Sequence, residues 1–294
     1  MEKDEIQKLT NAGEIAKKVK EFAREIIKKD VPLLKIANKI DAKIEELGAK
    51  PAFPINLSIN EVAAHSTPAF NDETLASGLL KVDIGVHVDG YIADTAFSLD
   101  LENSEENKKL IQAAEAALNS ALENISTKTK LREIGAKIEK EITSRKFQPI
   151  INLSGHSVSQ YDLHSGITIP NYNNSQDFEI GEGSFAIEPF ATSGSGKVKD
   201  GKPSGIYNLE KETQVRDSFA REVLAYIKQE FKTLPFCSRW LVKKFTTRAL
   251  LALKRLEEAQ VIHQYSQLVE TQRKPVAQAE HTVILTEKEK IVTT

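Results

Sequence analysis

The sequence predicts an α/β (α+β) protein made of two related halves, with a helical segment inserted late in the chain. Three observations carry this. Ile36, Ile40 and Ile44 form an apolar helical stripe that leads through a proline to Ile55-Asn56-Leu57-Ser58. Ile134, Ile138 and Ile142 do the same, leading through Pro149 to Ile151-Asn152-Leu153-Ser154, so an α/β unit reads as duplicated. Residues 79–99 are two β-rich runs around Asp89-Gly90, a dipeptide that accepts the positive φ of a tight hairpin turn. Finally, more than ninety residues separate Glu188 from Glu280, and 217–231 and 246–260 within them carry helical stripes broken at Leu234-Pro235-Phe236.

The remaining elements follow in order. Residues 5–30 and 105–124 read as helices. The second is opened by Asn103-Ser104-Glu105-Glu106, a capping residue followed by acids in the first turn. In the first run of the hairpin, Val82, Ile84, Val86 and Val88 form a core face. A turn centred on Asp89-Gly90 sets Asp94 opposite Gly85 and puts Asp83 one diagonal step away on the same face. Diagonal neighbours lie roughly 7–8 Å apart, a gap that two inward carboxylates and a cation pair can fill. The hairpin alone reads equally well as two solvated carboxylates. Ser193–Pro203, rich in Gly, Ser and Lys, reads as a mobile loop.

Composition narrows the function classes. An apolar content of 40% and a net charge of −2 over 294 residues describe an ordinary globular protein, with no charge signature for nucleic acid or membrane surfaces. Lys3 to Lys29 is amphipathic and charged, with no apolar signal core, and no run approaches a membrane span. The single cysteine, Cys237, excludes an intramolecular disulfide and suits a reducing cytoplasm; with no motif around it, it reads as a small buried residue.

Five potential metal ligands occur in the order Asp83, Asp94, His156, Glu188 and Glu280, each in a segment that reads as strand or strand edge. His156 follows Gly155, which permits close backbone approach to a site. Glu188 and Glu280 each lie in apolar β-rich runs, where a carboxylate needs a partner or a metal. Four carboxylates and one imidazole are enough for two divalent cations, a device that makes water nucleophilic at neutral pH. Hard oxygen ligands with one imidazole suit Mn, Fe or Co at least as well as Zn; Ni stays open.

The spacing of the two aspartates, Ser154-Gly155-His156, Glu188-Pro189-Phe190-Ala191 and Glu280-His281-Thr282 together closely resemble the methionine aminopeptidases. The likeness runs over most of residues 5–294 and includes Pro51-Ala52-Phe53-Pro54 and Ala63-Ala64-His65-Ser66-Thr67-Pro68. It implies a pita-bread fold, with pseudo-twofold halves and a curved antiparallel sheet covered by helices. The long insertion implies type II. The lack of a polybasic N-terminal extension implies the short archaeal form. The implied division is a catalytic domain over 1–192 and 270–294 and an inserted helical subdomain over 205–265.

The resemblance also implies roles. Asp83 binds one cation, Asp94 and Glu280 bridge both, and His156 and Glu188 complete the second. A hydroxide between the two ions attacks the first peptide bond, with Glu188 as proton acceptor, His164 on the carbonyl oxygen and His65 on the scissile nitrogen. N-terminal methionine is removed from nascent proteins when the second residue is small; Glu2 is not small, so this chain keeps Met1. Phe53 is the first choice for a wall of the methionine pocket, then Leu163, Tyr265 and Leu268. His87, His263 and His281 read as structural, His281 packing beneath the ligand before it. The family usually has Phe where Ala279 stands; alternation turns Ala279 away from Glu280, so altered packing is expected, not lost metal. Substrates are nascent N-termini near the ribosome, met in the cytoplasm by a monomer with no nucleic-acid or membrane contact. Two rivals remain. One is a proline-specific aminopeptidase or prolidase, which usually carries a sizeable N-terminal domain. The other is a non-catalytic pita-bread protein that binds ribosomes or RNA, which should lack ligands.

Overall fold

The computed structural model describes residues 1–123, 125–211 and 215–294. Helices α1 (Lys3–Ile26) and α2 (Leu33–Glu46) precede strands β1 (Lys50–Pro51), β2 (Asn56–Ile59) and β3 (Val62–Ala64) and the hairpin β4 (Leu79–Val88) and β5 (Tyr91–Asp100). A second helix pair, α3 (Glu105–Glu123) and α4 (Leu131–Ser144), precedes β6 (Gln148–Pro149), β7 (Ser154–Val158), β8 (Thr168–Pro170), β9 (Gly183–Ile187) and β10 (Phe190–Thr192). Then come β11 (Val198–Leu209), α5 (Ser218–Glu230), β12 (Phe236–Cys237), α6 (Ser238–Phe245) and α7 (Arg248–Glu258). The chain closes with β13 (Ile262–Glu270), β14 (Val276–Gln278), β15 (His281–Leu285) and β16 (Lys290–Val292).

The hairpin forms in the register that its turn dictates. Asp89 and Gly90 have φ of 51° and 86°, as a tight two-residue turn requires. Gly85 pairs with Asp94, and Asp83 with Ala96. Val82, Ile84 and Val86 are fully buried against the stripe Ile36, Ile40 and Ile44 of α2, in one core that also includes α1. Each such side chain contributes about 1.5–3 kcal/mol by leaving water. Ser104 caps α3 by accepting from Asn107 N at 3.3 Å.

The second half is built likewise, with α3 and α4 packed on a sheet of order β16-β15-β9-β7-β8 through Ile134, Ile138 and Ile142. The antiparallel pair β9–β15 stands where β4–β5 stands in the first half, and everything from β10 to β14 lies in its connection. The repeated Ile-Asn-Leu-Ser words are not equivalent, however. In the first half Asn56–Ile59 is a strand, whereas in the second only Ser154 has entered one, a slip of two residues relative to the helices before them.

Two further differences concern the late segment. Val198–Leu209 is a strand paired with β13, so the Gly/Ser/Lys-rich stretch is largely ordered β structure. Its register shifts fall between Asp200 and Pro203 and between Pro203 and Tyr207, which is how Gly201, Pro203 and Gly205 are accommodated in a strand. The break at Leu234-Pro235-Phe236 is followed by α6, which the stripe pattern does not mark. Helices α5 and α7 stand where the stripes predict. With Phe236 and Leu241 they enclose a hydrophobic core of their own.

Candidate metal centre

A seam between the two halves brings the ligand set together. Along β5, Asp94 N donates to Thr282 Oγ1 at 2.7 Å and Thr282 Oγ1 donates to Asp94 O at 2.8 Å. Next to it, Glu280 N donates to Ala96 O at 3.0 Å and Thr95 Oγ1 donates to Glu280 O at 2.9 Å. The first-half hairpin is thereby locked against the segment Glu280–Thr282, where the last glutamate precedes β15. His281 pairs with Ile187 across β15 and β9, so the register sets Glu280 opposite Glu188. His156 enters from β7, whose Gly155 comes so close to Ala186 O of β9 that a Cβ would lie at 2.3 Å. That glycine serves strand packing rather than the cavity.

Asp94, His156 and Glu280 each offer one ligand atom, all within 4.8 Å of one another. His156 Nε2 lies 3.8 Å from Asp94 Oδ2 and 3.6 Å from Glu188 Oε1. Asp83 completes the group beside Asp94, and all five line one cavity of about 300 Å³. Burial pushes the Asp83 carboxyl up to about 7. Asp94, Glu188 and Glu280 are held well above the usual carboxylate range, first by burial and then by neighbouring negative charge, that of Asp83 acting on all three. Burial also drives the His156 imidazole down to about 3, which keeps it neutral and able to coordinate.

Whether this set suits metal is decided by its unsatisfied atoms. Asp83 Oδ1 and Asp94 Oδ1 are buried without a hydrogen-bond partner, although buried polar atoms are nearly always paired. Lys20, whose charge acts on Glu280, donates to Thr95 Oγ1 at 3.2 Å rather than to a carboxylate. Four converging carboxylates, two orphaned oxygens and one neutral imidazole fit divalent cations. They fit little else.

Two more histidines stand at the rim. The rings of His156 and His164 are 4.5 Å apart, edge to face, and His65 packs on Tyr265 at 5.4 Å. His65 sits in the left-handed region at φ 57°, where non-glycine residues are uncommon and cluster at functional sites. Its turn is held by Ser66 N donating to Asn56 Oδ1 at 3.1 Å. Burial lowers both titrations, His65 to about 4, so each ring is neutral with one N–H to donate.

A family profile supplies the next observation: that of metallopeptidase family M24 matches residues 7–287. The chain belongs to this family. It is similar to the methionine aminopeptidase of Pyrococcus abyssi, with 48% identity over 295 residues and 99% of each chain covered. Among solved structures it resembles a thermophilic Arx1, with a TM-score of 0.84 and 17% identity, covering 100% of this chain and 91% of the other. It also resembles the methionine aminopeptidase from Thermotoga maritima, with a TM-score of 0.72 and 20% identity, covering 100% and 98%. At those identities the two structures speak for the fold alone, which is the M24 pita-bread fold.

In this M24 chain the four wall candidates, Phe53, Leu163, Tyr265 and Leu268, all line the cavity. Phe53 lies over Gly85, where a Cβ would be 2.3 Å from its ring. His87 accepts from Gly90 N at 3.0 Å and so closes the hairpin turn. His281 Nδ1 lies 3.0 Å from Thr294 Oγ1, beneath the site, and His263 packs edge-on against Tyr265. Ala279 is buried in the second-half core, away from the carboxylates. The residue that sequence reasoning missed is Gln278, whose Nε2 lies 3.5 Å from Glu188 Oε2 and whose amide opposes the rise of the Asp83 and Glu188 carboxyls. The alternation that turns Ala279 outward places Gln278 on the Glu280 face, so its signal was present. Ile206 and Pro235, from the late segment, also line the cavity unforeseen.

Proposed function

We infer that the chain is a metal-dependent aminopeptidase that removes N-terminal methionine from polypeptides whose second residue is small. The observation that carries this is the convergence of Asp83, Asp94, His156, Glu188 and Glu280 on one cavity that Phe53, Leu163, Tyr265 and Leu268 also line. The similarity to methionine aminopeptidases over nearly the whole chain supports it. These five residues would hold two divalent cations of the Mn, Fe, Co, Zn or Ni group, which supply Lewis-acid activation of water and of the peptide carbonyl.

The remaining chemistry belongs to side chains. Glu188 accepts the proton of the attacking water and passes it to the leaving amine, as a carboxylate placed at the reacting centre can. His164 donates its N–H to the carbonyl oxygen as negative charge develops there. His65 meets the scissile nitrogen. Phe53, Leu163, Tyr265 and Leu268 take the thioether, which packs well against aromatics, and exclude water.

The division into a catalytic domain over 1–192 and 270–294 and a helical subdomain over 205–265 is part of this proposal, supported by the separate core around α5 and α7. So are action on nascent chains near the ribosome, a cytoplasmic location and a monomeric state. Among the described residues, no helix is long and apolar enough to cross a membrane. The test is metal-reconstituted protein offered Met-Ala-Ser, Ala-Pro and Xaa-Pro-Yaa peptides. Methionine release from the first is expected; proline-linked products with Met-Ala-Ser intact would overturn the reading.

A further inference from the structure

We propose that the outer edge of β8 and the apolar surface around Phe178 bind the substrate polypeptide beyond its second residue, as an added extended strand. This rests on the methionine-releasing reading of the metal site. A protein substrate whose first bond sits at a buried centre must leave by some path, and the fold provides one.

The path begins at His164. The residues that follow it, Gly166, Ile167 and Thr168, line the metal cavity on one side and a second, open groove of about 420 Å³ on the other. That groove also touches Leu131, Gln176 and Phe178. At Gly166, with φ of 112°, nothing lies within 4 Å of where a Cβ would be, so the lip has room for a passing backbone.

β8 is the outermost strand of its sheet and, among the described residues, pairs only with β7. Ile167 turns its polar groups inward: its O accepts from Ser157 N, and its N donates to Ser157 Oγ, both at 2.9 Å. Strand alternation therefore turns the Thr168 N–H and C=O to the outer edge, as one hydrogen-bonding pair for an incoming strand. Strand addition at such an edge is a recurring mode of peptide recognition, with main-chain bonds giving affinity and a neighbouring pocket giving preference.

Phe178 supplies the pocket wall. It is the most exposed large apolar side chain among the described residues, at 71%. Its backbone is held in place. Phe178 O accepts from Leu131 N at 2.9 Å, and the neighbouring Asp177 is ion-paired with Lys130 at 2.8 Å and Arg132 at 3.0 Å. An apolar ring presented to solvent from a fixed backbone, beside a free strand edge that continues from the active cavity, matches an apolar third or fourth residue of the substrate.

The experiment compares kcat/KM for methionine release from Met-Ala-NH2 and Met-Ala-Ser-Leu-Ala-NH2 by the metal-reconstituted protein. The pentapeptide is also made with each amide beyond the scissile bond N-methylated in turn. The pentapeptide is expected to exceed the dipeptide by about tenfold, and N-methylation at one position should remove most of that gain. Phe178→Ala should lower the pentapeptide-to-dipeptide ratio about three- to tenfold, chiefly through KM. Because Phe178 is exposed, its truncation leaves the core intact. A ratio near one, or a ratio indifferent to N-methylation and to Phe178→Ala, would overturn the strand proposal while methionine release stood. No methionine release from either peptide would overturn the proposal together with the reading beneath it.

Discussion

Glu270 and Glu280 are both buried glutamates of the last β-rich stretch, and their surroundings are opposite. Glu270 accepts from Ser195 N, Ser195 Oγ and Gln272 N at 2.7 Å and from Lys274 N at 3.1 Å. Burial alone would raise its titration, but these donors outweigh it and hold the carboxyl below the ordinary range. Glu280 is raised by burial and then by Asp94, Glu188 and Asp83. One glutamate has been given donors and pins two turns. The other has been given three competitors, an arrangement that serves folding poorly and metal well.

The comparison would break most visibly in activity. Glu188→Gln keeps the shape of the site but alters the residue proposed as both proton acceptor and metal ligand, and kcat for methionine release should fall by about 10²–10⁴-fold. Glu270→Gln, far from the reacting bond, should leave kcat near the original. Steady-state kinetics on Met-Ala-Ser reads both.

Stability against pH gives the next effect. Asp83 titrates near 7 in the metal-free folded protein, whereas the unfolded carboxyl titrates near 4. The folded state therefore binds protons more tightly over that window. Metal-free protein should therefore lose stability as pH rises from 4 to 7, as the folded protein gives up protons that it holds more tightly than the unfolded chain. Glu270 acts in the other direction, contributing stability above its unfolded value that is lost as pH falls. Urea unfolding of chelator-treated protein across pH 4–8 measures the sum, and divalent metal should abolish the loss toward neutral pH.

His164→Ala should reduce kcat by about 10²–10³-fold while bound metal is unchanged, because the proposed donor to the developing oxyanion is removed and none of the five proposed ligands is. The smallest effect sharpens the contrast directly. At pH 7 in metal-free protein, Glu270→Gln should destabilise by about 1–3 kcal/mol through lost charged hydrogen bonds. Glu280→Gln should stabilise by relieving repulsion. Opposite signs in urea melts are the expected outcome.

Much of this was legible in the sequence because it depends on short-range periodicity. The turn at Asp89-Gly90 sets the pairing of Gly85 with Asp94, and strand alternation then decides which side chains share a face. The stripes of Ile36, Ile40 and Ile44 and of Ile134, Ile138 and Ile142 are buried as helical spacing requires. Less legible was whatever depends on partners distant in the chain. Val198–Leu209 looks like a loop by composition and becomes a strand because β13 pairs with it through two register shifts. The two Ile-Asn-Leu-Ser words look equivalent, yet the second reaches its strand only at Ser154. Gln278 is legible by the same strand alternation that turns Ala279 away from Glu280, since it places Gln278 on the Glu280 face. Ile206 and Pro235 had no local signal, since the long connection between β9 and β15 alone carries them to the cavity.

Four mutually repelling carboxylates and one imidazole are proposed to hold two divalent cations. Calorimetric titration of Mn²⁺ into chelator-treated protein at pH 7 tests it most directly. Two ions per chain with proton release are expected, and loss of at least one in Glu280→Gln. Binding of no ion, with the carboxylates remaining protonated at neutral pH, would contradict it.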